Sequence, residues 1–250
     1  MHSSDFPTYK IFNKFVSKVL SLHDSSISLH TLDFSHNGRL EFHLLKRIVN
    51  CAISHKVQRL GLSVHADIAQ IPPSIFSSQT LTYLNLGIYS GVGHEMMFPK
   101  SLNFPALTNL QPCHFAFSAE DNDRAEPFST FNRLNSLVLH DCTVKGAQTL
   151  CISNETLVNL TMDKNIYNLY IIDLTTPSLC KFVFTGSPHQ KLSGSNASSL
   201  KHVDIYAHVV PFSEDTPYFL FSWLPELANI KSSTVFHAIF DFLFEHLPLR

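Results

Sequence analysis

The sequence predicts an α/β fold built on a row of short parallel strands, and three observations predict it. The stretch Leu134-Asn135-Ser136-Leu137-Val138-Leu139-His140-Asp141-Cys142 reads as L-x-x-L-x-L-x-x-C, a strand that closes on a buried Cys. The same apolar frame recurs at Leu29/Leu32/Phe34, Val57/Leu60/Leu62, Leu81/Leu84/Leu86, Leu107/Leu110/Pro112, Leu157/Leu160/Met162, Leu179/Phe182/Phe184 and Leu200/Val203/Ile205, with starts 21 to 28 residues apart. Between the first two frames, Leu44, Leu45, Ile48, Val49 and Ala52 follow helical spacing after an Asn37-Gly38 turn signal, so strand alternates with helix. Of the 24 frame positions, 23 carry Leu, Ile, Val, Met or Phe in a chain that is 44% hydrophobic, which makes chance a poor explanation. Together these features predict a leucine-rich-repeat solenoid, horseshoe-like and ribonuclease-inhibitor-like, with a parallel sheet of about eight or nine short strands.

The elements follow in order. Over residues 1–25, Phe12, Phe15, Val16, Val19 and Leu20 fall on one helical face, with Lys14 and Lys18 opposite. Because the first unit of a stacked array has no neighbour, this helix is expected to cap it. Residues 26–231 form the repeats. Ile71-Pro72-Pro73 and Phe104-Pro105 place Pro where a long helix cannot run, so the later connections are expected to be irregular or 3₁₀. Pro112 lacks an N–H and predicts a distorted fourth strand. The polar run 119–127 predicts a mobile loop. Leu227 and Ile230 begin a ninth frame that fails at Ser232, and Phe236, Ile239, Phe240, Leu243, Phe244 and Leu247 then predict a C-terminal helix over 232–250.

Only 15% of the residues are charged and the formal net charge is -2, so no global field draws nucleic acid or an anionic membrane to the chain. Five Cys (51, 113, 142, 151 and 180) form no CxxC pair. That pattern argues against a disulfide framework or a structural zinc site and fits a reducing compartment. Residues 1–25 show no uninterrupted apolar core of a signal peptide. No run approaches membrane-spanning length, and the expected location is cytoplasmic or nuclear. Asn154, Asn159 and Asn196 match the glycosylation triplet, which has no consequence without secretion.

Fifteen His invite a search for catalysis or metal binding. The chain has no HExxH, GxSxG, P-loop or GxGxxG pattern, so neither a metal nor a cofactor is expected, and the protein is read as a non-enzyme. Cys142 stands near His140, but the frame assigns it to a buried turn rather than to an electropositive, open site. A hydrolase with scattered Ser, His and Asp would need those groups to converge in one pocket.

Strand alternation turns the residues between the frame positions outward. The outward set includes Arg59, Tyr83, Asn85, His140, Asp163, Lys181, Asp204 and Tyr206. Aromatic and Arg side chains dominate binding hot spots, so Tyr83, Tyr206 and Arg59, with Lys181, are the expected anchors for a protein partner. His140 and Asp163 hold the same position of consecutive frames and are expected to meet.

The chain resembles the leucine-rich-repeat region of plant F-box/LRR proteins, including those that carry an FBD segment. The residues that carry the resemblance are Phe12 to Leu20, Lys46 to Leu62, Ile71-Pro72-Pro73-Ser74-Ile75-Phe76, Phe104-Pro105-Ala106-Leu107, Leu134 to Cys142 and Leu227-Ala228-Asn229-Ile230-Lys231, in that order. The F-box pattern before Phe12 and the FBD pattern after Leu227 are not matched. The resemblance implies substrate recognition for a cullin-RING ubiquitin ligase, with the substrate protein on the concave sheet and a Skp adaptor only where an F-box stands upstream. A repeat scaffold without a ligase role is the alternative.

Overall fold

The computed structural model describes residues 6, 8–22, 29–66, 71–89, 96–119, 123–164, 170–186, 191–193, 199–207, 223 and 232–235. The chain divides into two compact units, 1–115 and 116–250. It is α/β, with parallel sheets of many short strands and few helices.

The first unit contains α1 (Tyr9–Leu22), β1 (Thr31–Arg39), α2 (Phe42–Ser54), β2 (Arg59–His65), a 3₁₀ turn (Pro73–Ser77), β3 (Tyr83–Tyr89), β4 (Met96–Met97) and β5 (Asn109–Cys113). Strands β1, β2, β3 and β5 pair in parallel in that order. The pairing is in register, so Leu60, Leu84 and Leu110 stand side by side and Leu62 lies beside Leu86, all at most 2% exposed. Helix α2 buries Leu44, Leu45, Ile48, Val49, Cys51 and Ala52, the face its periodicity predicted. Asn37-Gly38 does not form the expected turn. It lies inside β1, where the register with β2 slips between His36 and Arg39.

Helix α1 covers the edge strand β1. Phe12 is buried, with its ring stacked on His36 at 5.1 Å and 6.1 Å from Phe34, while Tyr9 meets His36 edge-on. Arg47 of α2 donates a 2.8 Å hydrogen bond to the Ser17 carbonyl and ties the two helices together.

Pro112 leaves β5 regular, contrary to the expectation. The Asn109 N–H donates to the Thr82 carbonyl on the β3 side. Alternation then turns the N–H groups of Gln111 and Cys113 toward β3 and the N–H-less Pro112 away, so Pro112 still pairs in register with Leu86.

The second unit contains all of β6 (Phe115–Ser118) but its first residue, then β7 (Arg124–Ala125), β8 (Ser136–His140), β9 (Thr143–Lys145), β10 (Thr149–Ser153), β11 (Asn159–Asp163), β12 (Ile171–Thr175), β13 (Lys181–Gly186), β14 (Lys191–Ser193), β15 (His202–Ala207) and β16 (Ser232–Val235). Strands β8, β11, β13, β15 and β16 form one parallel series. Strands β7, β10, β12 and β14 form another, and β6 pairs with β9. Apart from β9, the chain from β7 to β15 alternates between the two long series. Leu137, Leu160, Phe182 and Val203 make one buried row at 0 to 1% exposure. The only Trp, Trp223, fills the space beside it, 5.0 Å from Phe184 and 6.1 Å from Phe182.

Three expectations for this half are corrected. Where irregular or 3₁₀ connections were expected, the chain forms the second sheet, because Thr149–Ser153 and Ile171–Thr175 are short and rich in β-branched residues. The polar run 119–127 is not wholly a loop: Arg124–Ala125 pairs with Thr149–Leu150 and buries Ala125 completely, while residues 120–122 lie outside the described set. Ser232–Val235 is a strand and not the start of a helix over 232–250, because the β-branched pair Thr234-Val235 favours an extended backbone. It places Ser233 beside Val203, three residues later than the ninth frame was expected. The helix expected from Phe236 onward lies outside the described residues.

One backbone device recurs in both units. The carbonyls of His30, Gln58 and Thr82 each accept two consecutive N–H groups from the segment that opens the next strand. Those of Asn135, Val158 and Cys180 do the same. Strand ends also repeat, since Asp141 and Lys164 in the second unit and His114 in the first are all left-handed just after their strands. Asn154 is buried and fully bonded: its amide donates to the Phe128 and Phe131 carbonyls, and its oxygen accepts from the N–H and hydroxyl of Thr156. In the glycosylation triplet there, Asn154 is buried while Glu155 and Thr156 are exposed.

His36 makes the first unit pH-sensitive. It is 2% exposed, and neither ring nitrogen meets a hydrogen-bond partner among the described residues. Burial first, and then the neighbouring His65, lower its pKa from the ordinary 6.5. Tyr9 is the titratable group that faces it from α1. Because the unfolded chain takes up the proton first, this contribution is fully present above the unfolded pKa and is lost as pH falls through it toward the folded value. Denaturant melts from about pH 7.5 down to about pH 5, the range in which His titrates, should therefore lose more stability in the natural chain than in His36→Phe. Equal slopes for the two would remove His36 as the cause.

Candidate functional site

Alternation divides each strand into an inward row that fills the core and an outward row on one sheet face. The residues expected to bind a partner occupy the outward rows, three in the first unit and five in the second.

In the first unit, Arg59 and Tyr83 are register partners on β2 and β3, and the Arg59 guanidinium lies 4.1 Å from the Tyr83 ring centroid. The Tyr83 hydroxyl donates to Gln111 Oε1 at 3.1 Å, so one ring is held by a cation on one side and an amide on the other. Asn85 stands between Gly61 and Gln111 in the next row and is half-buried. The Asp33 carboxylate fills the space where a side chain at Gly61 would begin.

In the second unit, His140 Nδ1 lies 2.7 Å from Asp163 Oδ2, the pairing that the frame register predicted. Lys181 Nζ reaches diagonally to Asp204 Oδ2 at 3.2 Å. Thr185 and then Tyr206 continue the cross-strand row of His140 and Asp163, and Tyr206 is 40% exposed. His140 and Lys181 therefore each meet a carboxylate on a neighbouring strand, which orients these side chains before any partner arrives.

The sequence reading missed an aromatic row at the strand ends of the first unit. His65 and Tyr89 are register partners with ring centroids 5.2 Å apart, and Tyr89 lies 4.5 Å from His114. The signal was present: His65 and Tyr89 each stand eight residues after the first position of their frame.

All five Cys are free thiols. Cys142 is 3% exposed, as the frame predicted, and its thiol donates to the His140 carbonyl at 3.5 Å. Cys51 lies 3.6 Å from His55 Nδ1, and burial pushes its pKa up, which disfavours the thiolate a nucleophile needs. Cys151 is pushed up by burial as well, against the opposing pull of Arg124. Arg124 itself is bound to Asp173 at 2.7 Å on the second sheet.

Among the described residues, no helix is long and apolar enough to cross a membrane. Comparison with protein-family models, with characterised proteins and with solved structures finds no match to this chain.

The His140–Asp163 contact is part-exposed, so its strength should be that of a surface pair. A double-mutant cycle of His140→Ala and Asp163→Ala should give a coupling of about 0.2 to 1 kcal/mol that shrinks at high salt. A coupling of zero at low salt would show that the two side chains do not fix each other.

Proposed function

We propose that the chain is a protein-binding module of the leucine-rich-repeat type, and that it selects substrates for an F-box-type subunit of a cullin-RING ubiquitin ligase. The observation that carries the binding reading is the prepairing of outward polar and aromatic groups within each unit: Arg59 on Tyr83 in the first, and in the second His140 on Asp163, Lys181 on Asp204, and Tyr206 in the row of His140 and Asp163. Rigid aromatic and Arg groups lose little freedom on binding, which favours them as anchors. The repeat reading is supported by in-register frames in both units and by the recurring two-donor carbonyls. The ligase reading rests on the resemblance alone. With a net charge of -2, neither nucleic acid nor a membrane is the partner we propose.

A photo-crosslinking amino acid at Tyr206, and separately at Tyr83, tests both parts. The reading expects capture of one protein at these positions and not at a buried control. It also expects that protein to accumulate in cells depleted of the chain. Capture without accumulation would favour the scaffold that has no ligase role. No capture at either position would remove the sheet faces as the binding surface.

A further inference from the structure

A second surface lies on the outer side of α1. At about 100° per residue, Lys10, Lys14 and Lys18 form one row along the helix, and Ile11, Phe15, Val19 and Leu22 form the row beside it. Phe12, on the other side of the apolar row, is turned into the protein against Phe34 and His36. Three of these four are open, Ile11 at 49% exposure, Val19 at 48% and Leu22 at 72%, while Phe15 is half-buried with its ring 5.1 Å from that of Phe6. The three Lys, with Ile11 and Phe15, line a shallow groove. Helix α1 contains no Asp or Glu, and among the described residues none of the three ammonium groups is in an ion pair.

Helix α1 therefore carries a local positive row in a chain whose net charge is slightly negative, with a largely unburied apolar row along one margin. We propose that this face docks an amphipathic helix of a partner protein whose apolar stripe is edged by Asp or Glu at every fourth position. A carboxylate row on such a helix repeats about every 6 Å along its axis, which matches the rise between Lys10, Lys14 and Lys18. Its apolar stripe then covers Ile11, Phe15 and Leu22, in the helix-in-groove mode of recognition. A bilayer fits this face less well, because interfacial helices present a wide apolar face with cations around it, and the far margin of α1 is occupied by its own fold. The surface uses no sheet residue, so it stands or falls separately from the binding faces proposed above.

The test uses the full chain and a fluorescent designed helix of about 18 residues, five turns, carrying Glu at every fourth position beside a Leu row. Anisotropy should report binding that weakens about tenfold or more when Lys10→Glu and Lys14→Glu are combined. Binding by the doubly reversed chain should recover when the peptide Glu are exchanged for Lys. The milder Lys14→Gln should give an intermediate loss with an unchanged far-UV spectrum, which separates lost docking from lost folding. Absence of peptide binding, or binding indifferent to charge reversal, would overturn the proposal. Lysine-dependent sedimentation with phosphatidylserine vesicles, without peptide binding, would assign the face to membranes instead.

Discussion

Everything in this chain depends on parallel pairing in register. When neighbouring strands pair residue for residue, the side-chain period of two makes the inward position of one strand the neighbour of the inward position of the next. A slip of one residue would carry Leu137, Leu160, Phe182 and Val203 from the core to the sheet face. The carbonyls of Asn135, Val158 and Cys180 hold the register by taking two N–H groups each at the start of the next strand. The outward face is fixed by the same constraint, because its residues have no other side to occupy.

That division explains why the proposed surface is ordered before it binds. His140 and Asp163 stand on adjacent strands at a spacing set by the backbone, and so do Arg59 and Tyr83. Side chains already held by cross-strand partners have less entropy to lose when a partner protein covers them. Individually such part-exposed contacts are weak, so their value lies in orientation more than in stability.

Much of this arrangement was legible in the sequence because a spacing of two and a period of 21 to 28 residues survive changes of individual side chains. The inward rows, the α1 face, the His140–Asp163 contact and the burial of Cys142 were all readable in that way. The second sheet was not, since Thr149–Ser153 and Ile171–Thr175 are apolar runs too short to separate a buried strand from an irregular connection. Pro112 misled because the sequence does not say which neighbour a residue's N–H faces. The run 119–127 misled because its average polarity hid Ala125, a single small residue buried by pairing with β10. His65 and Tyr89 went unnoticed because they lie past the end of the apolar frame.

The central claim is that alternate positions of one strand have separate duties, folding inward and recognition outward. Saturation mutagenesis of Ser136–His140 and Asn159–Asp163, read in parallel for folded yield and for partner capture, tests it most directly. The account predicts that polar substitutions at Leu137, Leu139, Leu160 and Met162 abolish folded yield. It predicts that substitutions at Ser136, Val138, His140, Asn159, Thr161 and Asp163 leave yield intact and change capture. Outward positions that lose fold as readily as inward ones, or that leave capture untouched throughout, would contradict it.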